Sequence, residues 1–91
     1  MKVMLLPADP AQPTSKLEVT SFDEIIKLVG GHTVPVPRVI VPDAQFTIFC
    51  DEAGIPRQLP WNPHCEGLRG NVVLAPLDWD AQLQAHKADI H

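Results

Sequence analysis

The chain has no tyrosine, and cysteine occurs only twice, at Cys50 and Cys65. Small secreted domains that replace a large core with disulfides carry four or more paired cysteines. A disulfide framework is therefore excluded, and a reduced, cytosolic protein is expected. Long apolar runs are also missing: none approaches the roughly 20 residues that span a bilayer. The opening Met1-Lys2-Val3-Met4-Leu5-Leu6 is cut off by Pro7 and Asp9, too early for the apolar part of a signal peptide. Basic clusters are lacking as well. Seven Lys and Arg stand against eleven Asp and Glu, for a net charge of −4, and they are scattered from Lys2 to Lys87. Nucleic-acid binding draws on a basic face that displaces counterions, so no nucleic-acid partner is expected, and no membrane partner either.

What the chain does have is proline: ten in 91 residues, about twice the usual share. They limit interior strands and stiffen connections. The length sets a single domain, residues 1–91. Val3 to Leu6 reads as a strand covered on both faces, and Leu17 to Val19 as its hairpin partner. Between them the prolines of residues 7–15 recur every third position, the repeat of a polyproline II helix. That repeat can serve as a ligand for an aromatic groove, but a stiffened link between two strands accounts for it more simply.

Ser21-Phe22-Asp23-Glu24 has the form of a capping box, in which the Ser21 hydroxyl accepts from the Glu24 amide while Glu24 reaches back. Phe22, Ile25, Ile26 and Val29 then share one helical face, and Gly30-Gly31 ends the helix. His32 to Val41 is β-rich but broken by Pro35 and Pro37, which makes it an edge or bent strand. In Gln45 to Cys50, Phe46, Ile48 and Cys50 share one face, with Gln45, Thr47 and Phe49 on the other. Asp51-Glu52-Ala53-Gly54 reads as a tight turn with Gly54 at positive φ, and Ile55 to Leu59 as the returning arm, an edge because of Pro56 and Pro60. Val72 to Ala75 is an unbroken apolar run, the pattern of an interior strand. Asp78 caps a last helix, about 78–88, whose inner face carries Trp79, Leu83, His86 and Ile90. The expected fold is α+β: a mixed or mainly antiparallel sheet of five to six strands, one packed helix at about 22–29, and the C-terminal helix.

Three stretches carry a resemblance. They are Ile26-Lys27-Leu28-Val29-Gly30-Gly31, then Phe49-Cys50-Asp51-Glu52-Ala53-Gly54 with Leu59-Pro60-Trp61-Asn62, then Gly70-Asn71-Val72-Val73-Leu74-Ala75. In this order the chain resembles a family of short bacteriophage and mobile-element proteins of unassigned function. Its members carry a VGG helix end, a C-[ND]-E-x-G hairpin, an L-P-x-N segment and a late glycine-bounded strand. Pro63 stands where members have arginine, so no role of that arginine transfers, and Pro35 and Pro37 interrupt a strand that is smoother in the family. The resemblance implies a phage or prophage origin, an accessory role in the bacterial host cytosol, and no assigned activity.

The chemistry-bearing residues point away from catalysis. His32, Cys50, His64, Cys65 and Glu66 are metal-ligand types, but structural zinc sites pair ligands two to four residues apart. Here His64 and Cys65 are adjacent, and Cys50 shares the apolar face of Phe46 and Ile48. No metal and no cofactor are expected. A Cys65–His64 nucleophile pair lacks the gap and the orienting third group that a thiol enzyme needs. Asp51, Glu52, Asp78 and Asp80 are turn and cap acids.

The stretch from Leu59 to Arg69 is different. It gathers Trp61, Asn62, His64 and Arg69, with Arg57 just before it, between prolines that hold it in shape. Tryptophan and arginine are the side chains most enriched where proteins bind one another, and a stiff loop loses little entropy on binding. The alternative is that Trp61 folds back to plug the sheet edge. The expectation is a non-enzymatic accessory protein that binds a host protein or a small anionic ligand, a nucleotide among them. A homo-oligomer built by pairing the strand at 32–41 or the edge at 55–60 is the second expectation.

Overall fold

The computed structural model describes residues 1–36, 45–54, 56–65 and 67–89, with residues 86–89 described by their backbone. The chain order is β1 (Lys2–Leu6), β2 (Ser15–Glu18), α1 (Phe22–Val29), β3 (Thr33–Pro35), β4 (Thr47–Asp51), β5 (Val72–Ala75) and α2 (Trp79–Asp89). The strands form one antiparallel sheet in the order β2-β1-β5-β4-β3. The α+β class follows from a wholly antiparallel sheet with residues of both helices packed into the core on one of its faces. Among the described residues no helix is long and apolar enough to cross a membrane.

The apolar run Val72-Val73-Leu74-Ala75 lies at the centre of the sheet, between β1 and β4. A central strand needs apolar side chains on both faces, and the alternation divides them. Val73 and Ala75 join Val3, Val19, Ile25, Val29 and Phe49 in the larger core, beneath α1. Val72 joins Leu6 and Ile48 in a smaller cluster on the opposite face, with Met4, Cys50, Cys65, Leu68 and Leu74 packed around it. The strand alternation Phe46/Ile48/Cys50 against Thr47/Phe49 is realised, with Ile48 and Cys50 on the second face and Phe49 in the main core.

Helix α1 occupies the residues expected for it. Ile25 and Val29 are buried, Phe22 and Leu28 pack at their side, and Gly30 closes the helix at φ 84°, its N–H donating to Ile26 O at 2.8 Å. The helix start corrects the capping-box expectation. Ser21 occupies the cap in extended conformation, but its hydroxyl makes no cap bond. Glu24 instead accepts from the amide of Thr20, one residue further out. That backbone bond holds the Glu24 carboxyl below its ordinary value. The side chain therefore still ties the entering chain to the first turn.

Helix α2 sends Trp79 into the main core and buries Leu83. The side chain of His86 and residue Ile90 lie outside the described residues. The indole of Trp79 stacks on Phe22 (centroids 5.5 Å apart) and meets Phe49 edge-on (5.1 Å), while Phe22 and Phe49 are themselves 5.6 Å apart. A three-ring cluster thus joins α1, β4 and α2.

Strand β3 is the outer strand beyond β4, as Pro35 requires. Val36 N donates to Ile48 O at 2.7 Å and Glu52 N to His32 O at 2.8 Å, so the even-numbered residues bond to β4. Pro35, which has no N–H, takes an outward position where β4 asks nothing of it. The continuation of this strand through Pro37 to Val41 lies outside the described residues.

Two expectations are corrected nearby. No returning arm forms at 55–59 among the described residues. The chain coils instead, with Arg57 N bonded to Ala53 O and Leu59 N to Gly54 O, and with Gln58 at φ 55°. Gly54 does not adopt a positive φ. Its need is space, since a Cβ there would sit 3.3 Å from Arg69 Cβ. The proline-rich link between β1 and β2 is a connection turned by Asp9, whose carboxylate accepts from Ala11 N and whose carbonyl accepts from Gln12 N.

Truncating the fully buried ring of Phe49 removes both its core packing and its two aromatic contacts. Phe49→Ala is expected to lower unfolding free energy by about 3–5 kcal/mol in urea titration. A loss under 1 kcal/mol would mean that the rings do not hold α2 to the sheet.

Candidate functional site

Residues 60–70 close on themselves. Gly70 N donates to Pro60 O at 2.8 Å and Asn62 N to Leu68 O at 2.9 Å, bracketing an isolated antiparallel bridge between Trp61 and Arg69. That pattern makes Trp61 and Arg69 a non-hydrogen-bonded pair, the register in which facing side chains stand closest. The consequence is visible. The Arg69 guanidinium lies over the Trp61 ring, 4.0 Å from its centroid. The indole quadrupole attracts the cation, an interaction worth about 0.5–2 kcal/mol depending on exposure. Trp61 remains 56% exposed, so its ring is not a plug for the sheet edge.

Arg69 is anchored as well as stacked. Its Nη1 donates to Leu59 O at 3.3 Å. Its Nε is buried without a hydrogen-bond partner among the described residues, leaving the indole face as the main compensation for that desolvated end. Arg69 also lines a cleft of about 280 Å³ with Val34, Val36, Cys50 and Leu68, bounded by Asp51 and Glu52.

The loop is fixed from inside by Asn62, which is 5% exposed. Its Nδ2 donates to Leu6 O at 2.8 Å and Gly70 O at 2.9 Å, and its Oδ1 accepts from His64 N at 2.8 Å. Asn62 therefore belongs to the interior of the loop, not to its outer surface, which corrects its inclusion among the surface residues. Every polar atom of a buried amide must find a partner, and here the two ends of the loop and the end of β1 supply them. Asn71 acts similarly just after the loop, accepting from Ala8 N at 2.9 Å and donating to Leu28 O at 3.2 Å.

Of the residues picked from sequence, Trp61 and Arg69 are brought into contact, and His64 is exposed at the loop tip above Asn62. Arg57 goes elsewhere. Its guanidinium pairs with the carboxylate of Asp51, a side chain that is 1% exposed. Asp51 also accepts from Ala53 N at 2.9 Å. Sequence reasoning takes Asp51 for a turn acid and misses this pairing. The signal is present in the alternation: Asp51 follows Thr47 and Phe49 on the covered face of β4, where a carboxylate needs a counter-ion. Gly31 abuts the pair, since a Cβ there would overlap the Asp51 carboxylate. Outside it, His32 and Glu52 form an exposed ion pair at 3.2 Å, a type that contributes little.

Cys50 and Cys65 are free thiols, half-buried in the second cluster. Burial pushes both thiols above the ordinary range, and for Cys50 the neighbouring Asp51 adds to the effect. Both are protonated at neutral pH, the opposite of an activated nucleophile. Among the described residues no group of three or more His, Cys, Asp or Glu is placed to hold a metal; Glu66 lies outside them.

Comparison with family models, with curated proteins and with solved structures finds no match.

Two outcomes test this geometry. Asn62→Ala is expected to destabilise the fold by about 2–4 kcal/mol in thermal or urea unfolding, since Gly70 O and His64 N lose their side-chain partner and a polar group left unpartnered costs about 1–3 kcal/mol. A variant as stable as the parent would show that water replaces the amide. For the thiols, a raised pKa means less thiolate at any given pH. Iodoacetamide at about pH 8, near the ordinary thiol pKa, should therefore alkylate Cys50 and Cys65 more slowly in the folded chain than in urea, with the folded rate rising as pH is raised. Equal rates would contradict the burial effect.

Proposed function

We propose that the chain is a non-enzymatic binding module that recognises a partner protein through the Trp61–Arg69 platform. The observation that carries this reading is the exposed indole held in place by a stacked guanidinium on a closed loop. Large flat side chains that are already ordered lose little entropy on docking, and this pair has the composition of a binding hot spot. The protonated state of the two thiols supports a role without covalent chemistry. The accessory role in a bacterial host that the motif resemblance implies agrees with a partner supplied by that host.

A protein partner is favoured over a small anionic ligand at this loop. Of the two arginines that would bind an anion, Arg57 is already paired with buried Asp51, and Arg69 commits Nη1 to Leu59 O. Self-association through the strand at 32–36 is less favoured, because Pro35 removes a donor from that edge.

The test is affinity capture from bacterial lysate with the parent chain, Trp61→Ala and Arg69→Lys. Arg69→Lys keeps the charge but loses the flat stack. The platform reading expects a specific protein retained by the parent and lost at least about tenfold from both variants, a loss of about 1.4 kcal/mol or more, with unchanged circular dichroism. Equal retention by all three would overturn it.

A further inference from the structure

Among the described residues the sheet face turned away from α1 is only partly covered. Cys65 and Leu68 of the loop pack over Val72, Leu6 and Ile48. Toward β2 the same face holds a groove of about 420 Å³, lined by Lys2, Met4, Lys16, Phe46, Leu74 and Pro76. A solvent-facing side of an antiparallel sheet ordinarily carries polar residues at alternate positions. Here Met4 and Leu74 are cross-strand partners, Ile48 sits opposite Leu74, and Phe46 beside them is 51% exposed.

The described charged residues that line this groove are both basic. Lys16 stands opposite Met4, and Lys2 lies two residues earlier on the same face of β1. The acid opposite Lys2 is Glu18, whose carboxylate is held by the Met1 amino group at 3.0 Å. Among the described residues no acid lines the groove, although the chain carries a net charge of −4. An apolar floor bordered by two ammonium groups calls for a ligand with the complementary division: an apolar body and one anionic head.

We propose that this groove binds a small anionic amphiphile of the fatty-acid type, free in solution. Its chain lies on Met4, Leu74 and Phe46, and its carboxylate lies between the ammonium groups of Lys2 and Lys16. The volume falls within the roughly 300–1,000 Å³ of small-molecule sites. A second copy of the chain docked on this face would gather four lysines into one interface, which opposes self-association there. The net negative charge opposes an anionic bilayer as the occupant. The groove shares no residue with the Trp61–Arg69 platform, so each site stands or falls alone.

The test is isothermal titration of the intact chain with laurate below its micelle concentration. Dodecyltrimethylammonium serves as the same tail with the opposite head. Saturable 1:1 binding of laurate, weakened by salt, is expected, with at least tenfold weaker binding of the cation. The charge-reversed variant Lys2→Glu/Lys16→Glu alters only exposed side chains. It should invert that preference while its circular dichroism stays unchanged. Phe46→Ser, which removes the aromatic part of the apolar floor and leaves both lysines, should weaken both ligands. The proposal is overturned if laurate does not bind, if it binds the charge-reversed variant as well as the parent, or if both heads bind equally. It is also overturned if light scattering shows a dimer abolished by Phe46→Ser, which would give the face to a second copy. Co-sedimentation with phosphatidylglycerol vesicles without binding of free laurate would overturn it in favour of a membrane surface.

Discussion

The buried amide of Asn62 sits where three pieces of backbone meet. It donates to the last residue of β1 and to Gly70, just ahead of β5, and accepts from the amide of His64. Gly70 O faces Pro60, which has no N–H to offer it, and desolvated carbonyls are costly when left bare. The three bonds of Asn62 tie the loop to the end of β1 and to the start of β5. In that arrangement Pro60 and Gly70 are drawn together, Trp61 falls opposite Arg69, and Leu68 and Cys65 are laid over the second face of the sheet. The exposed platform is thus a by-product of how a polar interior is closed. The same closure decides how far the second face is covered and where its open groove begins.

A second constraint acts on the other side of β4. Asp51 is carried to the covered face by strand alternation, and its carboxylate is matched by Arg57 and by the amide of Ala53. The turns in which Arg57 N bonds Ala53 O and Leu59 N bonds Gly54 O return Arg57 to that carboxylate. Gly31, at the end of α1, leaves the space into which the pair fits. Replacing buried ion pairs by apolar residues often costs little, whereas removing one partner costs much. A glycine with a negative or extended backbone is therefore held here by volume, a requirement invisible to arguments from φ alone.

Most of the secondary structure was legible because it rests on local periodicity. The α1 face of Phe22, Ile25 and Val29, the stop at Gly30 and the continuous run Val72–Ala75 are each fixed by residues within a few positions of one another. The two-sided reading of β4 also holds. What the sequence hid was pairing over distance. The segment 55–59 alternates like a strand, yet Arg57 is drawn to Asp51, whose need for a counter-ion depends on which face of a sheet it occupies. Ser21 and Glu24 have capping-box spacing, but the carboxylate found the amide of Thr20 nearer. In the candidate site the sequence supplied the residue types, and Trp61 and Arg69 meet. Asn62 was grouped with them by adjacency, while the structure turns its amide inward because the adjoining carbonyls lie there.

Pro35 shows how one ring shapes what happens when many chains crowd together. Its nitrogen occupies the outward side of β3, where an incoming strand would look for a donor. A second sheet attempting to extend the ladder from that side would lose a hydrogen bond at each repeat. The fold thus carries a built-in interruption against fibrillar stacking along β3, at a position that leaves the bonding between β3 and β4 intact.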